Sequence, residues 1–444
     1  MAEDVDPEIA AALAKLAQRD AGSAGNAEAA LEWIAGELGV AAITQEHVQN
    51  FCWYQLPMKW LISHDEKLRV AVALGEVLDL LQLPRYASIC RSQTTLEILS
   101  AYEESSRLGK AAFRRAAVRS GITPPDLPDF EWGATMGPQE ASAWSSVADF
   151  LEVAVASGGL IPGTRGWKKC QQQLVRTHLN VPQASLLGQT YAQAILTERA
   201  ETWVNRRRSE SRRPIVATMA NRLLHPAQLP VGTTDPLPRL RWLLGELHGG
   251  IALTQTGNLN QNFVQQNADR FGWDFDSPPR TEDDLYDLHQ VRELCQKLGL
   301  ARRTGRKLTL TAKGRRLADD PEQLWRAVAA NLLAGDSDFM AYMGELFLAM
   351  LLEAHSRPFD EILATVWKAA GEEGFRENRT GEPPSEDDVS WAIHDTSNLC
   401  RALGLLTAGT DWRHRSYGLT ETGKATALEA LRARATGPRT TPWP

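Results

Sequence analysis

Between Leu294 and Leu317 the chain reads LCQKLGLARRTGRKLTLTAKGRRL, which holds Lys297, Arg302, Arg303, Arg306, Lys307, Lys313, Arg315 and Arg316 without one carboxylate. Fixed cations at this density attract phosphates and release the counterions condensed on a nucleic acid. Arginine adds a planar fork that suits phosphate or a narrow minor groove. A thinner basic run, Arg413-His414-Arg415, follows later in the chain. From Arg302 to Arg316, and again over Arg413, His414 and Arg415, these side chains are the candidate nucleic-acid contacts; the alternative is the solvated edge of a small domain.

Other chemistry has little to stand on. The chain contains no GxxxxGK[ST] phosphate loop, no HExxH, no GxSxG and no GxGxxG opening a helix. GTRGWKK (163–169) has glycines and lysines without phosphate-loop spacing and reads as a basic helix start. His289 with Cys295, and His394 with Cys400, recur as HxxxxxC. Positions six apart on a helix lie about 120° apart in projection, so neither pair can easily share a metal, and both cysteines read as small core residues. RRRSESRR (206–213) reads as a solvated helix end and linker, or as an auxiliary phosphate contact. The fourteen tryptophans, among them Trp53, Trp60, Trp132, Trp144, Trp167 and Trp203, sit mostly at apolar helix positions and are assigned to core packing. No enzyme, metal or cofactor is expected.

Composition bounds the rest. A 444-residue chain has room for two to four domains, and 43% hydrophobic with 23% charged residues is ordinary for a globular protein. The formal net charge of -7 argues against polyanion contact along the whole chain and leaves room for a local basic face. Five scattered cysteines, Cys52, Cys90, Cys170, Cys295 and Cys400, form no CxxC pair, which fits a reducing cytoplasm. The acidic start MAEDVDPEIAAALAK lacks a basic n-region, and no apolar run reaches the ~18–20 residues of a membrane span. A cytoplasmic protein is expected.

Apolar periodicity makes the first half helical. Helices are expected at Ile9–Leu16 and Ala29–Leu38 with AGSAGN as a break between them, then at Glu66–Leu81, Thr95–Arg107, Gln139–Val155, Trp167–Leu179 and Ser185–Arg207. Pro57, Pro84 and Pro182 punctuate them. The Pro- and Gly-rich GITPPDLPDFEWGATMGP (121–138) reads as a loop or a hinge between helical subdomains.

The second half contains a repeat. With His289 set on His394, Leu294, Cys295, Leu298, Gly299 and Leu300 fall on Leu399, Cys400, Leu403, Gly404 and Leu405 without a gap. Pro278-Pro279 falls on Pro383-Pro384, and LTLTAKG (308–314) matches YGLTETG (417–423) once four residues are inserted in the second hairpin. Trp242, Leu243 and Leu247 match Phe347, Leu348 and Leu352 at the head of each copy. An ordered series of this length marks a duplicated unit. A fainter echo joins LEWIAGEL (31–38) to RWLLGEL (241–247).

Each copy reads as an amphipathic helix, a second helix, an acidic start (RTEDD or PSEDD), a third helix ended by Gly299 or Gly404, and a hairpin; copy one adds the extended IALT after its first helix. This order resembles the winged-helix variant of the helix-turn-helix, and LGL…LTLTxxGxxL is similar to the wing and following helix of many bacterial regulators. The resemblance implies a mainly α protein. A helical region over 1–230, with a subdivision at 121–138, would precede winged-helix-like domains at 236–335 and 343–435. It also implies a DNA-binding regulator, with a protein-binding scaffold as the alternative. In winged helices the third helix usually enters the major groove. Here its exposed positions are expected to include Glu282, Asp283, Asp284, Asp287 and Glu293, with Glu386, Asp387 and Asp388 in copy two. Their repulsion from phosphate argues against base reading by that helix.

Overall fold

Asp20 decides where the second helix begins. Its carboxylate accepts from the Gly22 amide at 2.9 Å and the Ser23 hydroxyl at 2.8 Å, so AGSAGN, expected as a break, instead forms the first turns of a helix. The small side chains suit that place, because Ala24 and Ala27 are buried. The structure is a computed structural model that describes residues 6–35, 39–273, 278–335, 337–377, 380–408 and 416–439. It is mainly helical with two small antiparallel sheets, and it divides into two compact units, one reaching Ile195 and one over Leu196–Pro438.

In the first unit the helices are α1 (Pro7–Ala17), α2 (Ala21–Ala35), α3 (Gln45–Asn50), α4 (Leu56–Lys59), α5 (His64–Leu80), α6 (Pro84–Cys90), α7 (Gln93–Glu104), α8 (Ser106–Ser120), α9 (Pro138–Ala156) and α10 (Trp167–Asn180). Sequence periodicity missed α3, α4, α6 and α8. The expected helix over Thr95–Arg107 is two helices, because Ser105 leaves the helical conformation and caps α8 through the Leu108 amide. Pro57 does not end a helix. Its ring and missing amide open the preceding turn at Phe51–Gln55 into a π-turn, in which the Leu56 amide reaches back to the Phe51 carbonyl. The loop 121–138 is irregular and pinned: Gln171 donates to the carbonyls of Gly121 and Thr123, and Trp132 Nε1 donates to the Pro125 carbonyl. Behind the echo of the repeat, the described residues hold helices and no hairpin.

The boundary falls within α11 (Tyr191–Asn205), and in the second unit α12 (Arg212–Ala217) leads into the repeat. Copy one is α13 (Pro238–Glu246), β1 (Ile251–Ala252), α14 (Gln261–Asn267), α15 (Tyr286–Lys297), β2 (Ala301–Thr304) and β3 (Lys307–Leu310), followed by α16 (Ala312–Ala318) and α17 (Pro321–Asn331). Copy two is α18 (Asp338–Leu352), β4 (Arg357–Pro358), α19 (Phe359–Glu373), α20 (Glu386–Ala402), β5 (Leu406–Ala408) and β6 (Ser416–Leu419), followed by α21 (Glu421–Thr436). The sheets share one order, β1-β3-β2 and β4-β6-β5. β4 was not legible, since Arg357-Pro358 lacks the apolar, β-branched character of a strand; Pro358 is tolerated there on an edge.

The two copies repeat their joints in detail. Gly299 and Gly404 end the third helices at φ +65° and +77°, a conformation that favours glycine. Thr311 caps α16 by accepting from the Gly314 amide, and Thr420 caps α21 by accepting from the Gly423 amide, both at 3.0 Å. The backbone amides of Thr311 and Thr420 donate to the carbonyls of Leu300 and Leu405. A Cβ on Gly314 or Gly423 would collide with those same carbonyls, so TxxG is required by a close backbone approach. Of the paired leucines, Leu294, Leu298, Leu300, Leu403 and Leu405 are buried and Leu399 is half-buried against the same core. α18 is buried from Ala341 to Leu351 and runs through that core. No helix among the described residues is long and apolar enough to cross a membrane.

Candidate nucleic-acid interface

The first wing is built by alternation. Residues opposite each other in an antiparallel pair share a face, and β2 and β3 pair Ala301 with Leu310, Arg302 with Thr309, Arg303 with Leu308 and Thr304 with Lys307. Ala301, Leu308 and Leu310 are buried. Arg302 and Lys307 therefore stand on the outer face. Arg303 continues the inner face beyond the core, where its guanidinium lies over Gly257 and its Nε donates to the Gly305 carbonyl. Gly305, at φ +61°, opens the two-residue turn and Arg306 completes it.

Arg302, Arg303, Arg306, Lys307, Arg315 and Arg316 are all exposed, and none forms an ion pair among the described residues. Lys313 differs, since its ammonium donates to the Leu298 carbonyl at the end of α15, 2.9 Å away. Elsewhere in the unit most of the arginines are engaged, although Arg208, Arg213 and Arg280 are also exposed. Arg207 meets Asp338 and Glu373, Arg212 and Arg434 meet the buried Glu345, and Arg292 meets Glu282. The run 206–213 is thus not a solvated linker: Ser209 and Ser211 also donate to Glu372, which ties it to α19. The second candidate run, Arg413, His414 and Arg415, lies outside the described residues.

The carboxylates expected to line an exposed third helix are placed differently. RTEDD is a turn ahead of α15 rather than its first residues, because Asp284 accepts from the amides of Arg280 and Thr281, and these bonds hold its carboxyl below the usual range. Glu282 is wholly buried. It accepts from the Leu259 amide at 2.6 Å and from Arg292 Nε, and it faces His289 Nδ1 at 3.5 Å. Burial pushes its carboxyl up, but His289, the Leu259 amide and Arg292 together outweigh that and hold it low. The bond to Glu282 raises His289 in turn. Asp287 is buried as well. Asp283 stays exposed beside Asn258, and Glu293 is half-exposed near His289 Nε2. In copy two Ser385 and Asp388 do form a capping box at the start of α20.

Asp287 is buried because the two third helices pack on each other. Arg401 Nη2 of α20 lies 3.1 Å from Asp287, and Arg239 of α13 donates to the carbonyls of Arg401 and Ala402 that end α20. The contact leaves Tyr286 and Trp391, which fall on each other in the repeat, 42% and 66% exposed. Both escaped the sequence reading, where the tryptophans were assigned to the core and Tyr286 was not singled out. Cys295 and Cys400 are buried, and desolvation pushes each thiol up to about 12.

Residues 240–323, from α13 into α17 and including the first wing, match the family model of the Y4jL N-terminal domain. Over 100 residues the chain is 32% identical to the uncharacterized protein y4jL of Sinorhizobium fredii (strain NBRC 101917 / NGR234); the match takes in 20% of this chain and 44% of that protein, so less than half of the relative's length is spanned. No solved structure matches.

Proposed function

We propose that the chain is a DNA-binding regulatory protein of the cytoplasm whose two wing-bearing copies are tandem winged helices, and that its first wing and α16 contact phosphate. One observation carries this reading: six exposed cations without ion pairs among the described residues are gathered on β2, the turn, β3 and α16, in a unit whose other arginines largely end on carboxylates or carbonyls. A polyanion supplies what that surface lacks. The packing of α15 on α20 favours backbone contacts over base reading by the third helices, because a helix face covered by its counterpart is not free for a major groove. The burial of Glu282 and Asp287 removes two of the carboxylates that would oppose the wing.

The test is anisotropy of a labelled random duplex titrated at several salt concentrations. The protein should bind with an affinity that falls linearly on a logarithmic salt scale. Replacing Arg302, Arg306, Lys307, Arg315 and Arg316 with Gln should weaken binding by a similar factor on unrelated sequences. A protein that ignores duplex DNA at low salt, or binds equally well after these changes, does not work this way.

The second reading is a protein-binding module, favoured by the exposed Tyr286 and Trp391 at equivalent positions on the paired helices. Tyr286→Ala with Trp391→Ala would then abolish capture of a protein partner while leaving any DNA affinity unchanged.

A further inference from the structure

The first unit holds a cleft of about 280 Å³ with no role in the reading above. Its floor is made by the π-turn, because the widened turn ahead of Pro57 sets Trp53 against α7, where its Nε1 donates to Thr95 Oγ1 at 2.8 Å. Ile98 and Ala101 of α7, with Ala112 and Ala116 of α8, give it apolar walls. Arg115 and Arg119 stand at the mouth, four residues apart and so on one face of α8. Both are exposed, and neither guanidinium has an ion pair or hydrogen bond among the described residues. Glu97 faces them from α7, its carboxylate taking a 3.3 Å bond from Gln93.

Gln49 is the observation that turns this hollow into a site. The residue is 93% removed from solvent, lines the cleft, and its side chain makes no hydrogen bond within the described residues. Its amide therefore opens on the cleft, where it can bond a polar atom of an occupant. Its neighbour Gln45 shows the contrast, with the side chain held by Arg85 and the backbone amide by Glu152.

We infer that this cleft binds a small organic carboxylate with an apolar body, its carboxylate on Arg115 and Arg119 and a second polar atom on the Gln49 amide. The volume is near the lower end of the roughly 300–1,000 Å³ typical of ligand clefts, which limits the occupant to the size of a single amino, hydroxy or aryl acid. Two arginines one turn apart select an anion, and the apolar walls select what the anion is attached to.

Isothermal titration of the full chain with phenylacetate tests this, with phenylacetamide and inorganic phosphate as comparison probes. The expected result is one saturable site for phenylacetate, with phenylacetamide and phosphate each at least about tenfold weaker, as loss of a charge-assisted bond or of the apolar contact implies. Arg115→Gln with Arg119→Gln should lower phenylacetate affinity by about tenfold or more, and Gln49→Leu by about threefold or more. The arginines are exposed, so their replacement leaves the fold intact, which the unfolding midpoint checks. If Gln49→Leu fails to fold, Ala112→Leu takes its place by filling the cleft and should abolish binding. The inference is overturned if phenylacetate shows no saturable site, if phosphate binds as well, which makes the arginines a surface anion contact only, or if binding survives these variants.

Discussion

Asp287 and Arg401 form a 3.1 Å ion pair between two helices that the internal repeat makes equivalent. The pair is not symmetric within the repeat, because Arg401 corresponds to Gln296 and Asp287 to Ala392. Two copies of one unit have thus acquired a contact that neither contains alone. Asp287 is 96% buried, whereas the Arg401 side chain is 41% exposed.

That asymmetry sets an order for two substitutions. Arg401→Gln deprives a buried carboxylate of a partner and should destabilise the second unit by about 1–3 kcal/mol. Asp287→Asn leaves a half-exposed guanidinium that water can solvate, so its cost should be smaller. Urea unfolding of both variants decides the order. Equal midpoints would mean that the pair contributes little to holding α15 on α20.

On the wing, the two faces of the hairpin should differ in their effect on DNA. Arg302 and Lys307 share the outer face, and Arg303 lies on the inner one over Gly257. If one face meets the duplex, Arg302→Gln and Lys307→Gln should each reduce the logarithmic salt slope by about 0.9, and Arg303→Gln by clearly less. The same slope change for all three would place the duplex across the tip instead.

His289 supplies a pH dependence. Its bond to Glu282 lifts it above the ordinary value of 6.5, so the stability it contributes is fully present below that value and is lost as pH rises through the raised folded one. Glu282, held below 4.5, contributes above that value and loses its contribution as pH falls through the lowered one. The gap in melting temperature between the parent and His289→Gln should therefore be wider near pH 5.5 than near pH 8.5, measured by differential scanning calorimetry. A gap that widens towards high pH would contradict the pairing.

Gly314→Ala and Gly423→Ala should each cost about 1–3 kcal/mol, since the added methyl must displace the carbonyl of Leu300 or Leu405. Gly299→Ala meets no neighbouring atom and should cost about 1 kcal/mol, from its left-handed backbone alone. Chemical unfolding distinguishes the two causes, and parity between Gly314→Ala and Gly299→Ala would remove the collision argument.

What could be read without coordinates was local. The end of each third helix, the TxxG joint and the basic hairpin are contiguous, and their chemistry acts over a few residues, so LGL, LTLTAKG and ARRTGRK announced them. Glu282 could not be read as buried, because the groups that donate to its carboxylate come from α15 and from Leu259, 23 residues earlier in the sequence. Trp391 was assigned to a core with the other tryptophans and Tyr286 carried no assignment, because helical spacing does not tell an inward face from one left outside a helix pair. AGSAGN misled because glycine and serine are weak helix formers in isolation, and here a cap and close packing outweigh that preference.

The contact between α15 and α20 also bears on descent. Once Arg239 clasps the end of α20 and Arg401 reaches Asp287, neither copy can be lost, shuffled or replaced by a fresh duplicate without exposing a face its neighbour now covers. The two halves of the repeat have become complementary rather than interchangeable. Their inheritance is that of a pair, in which a change at one helix is judged by its fit to the other.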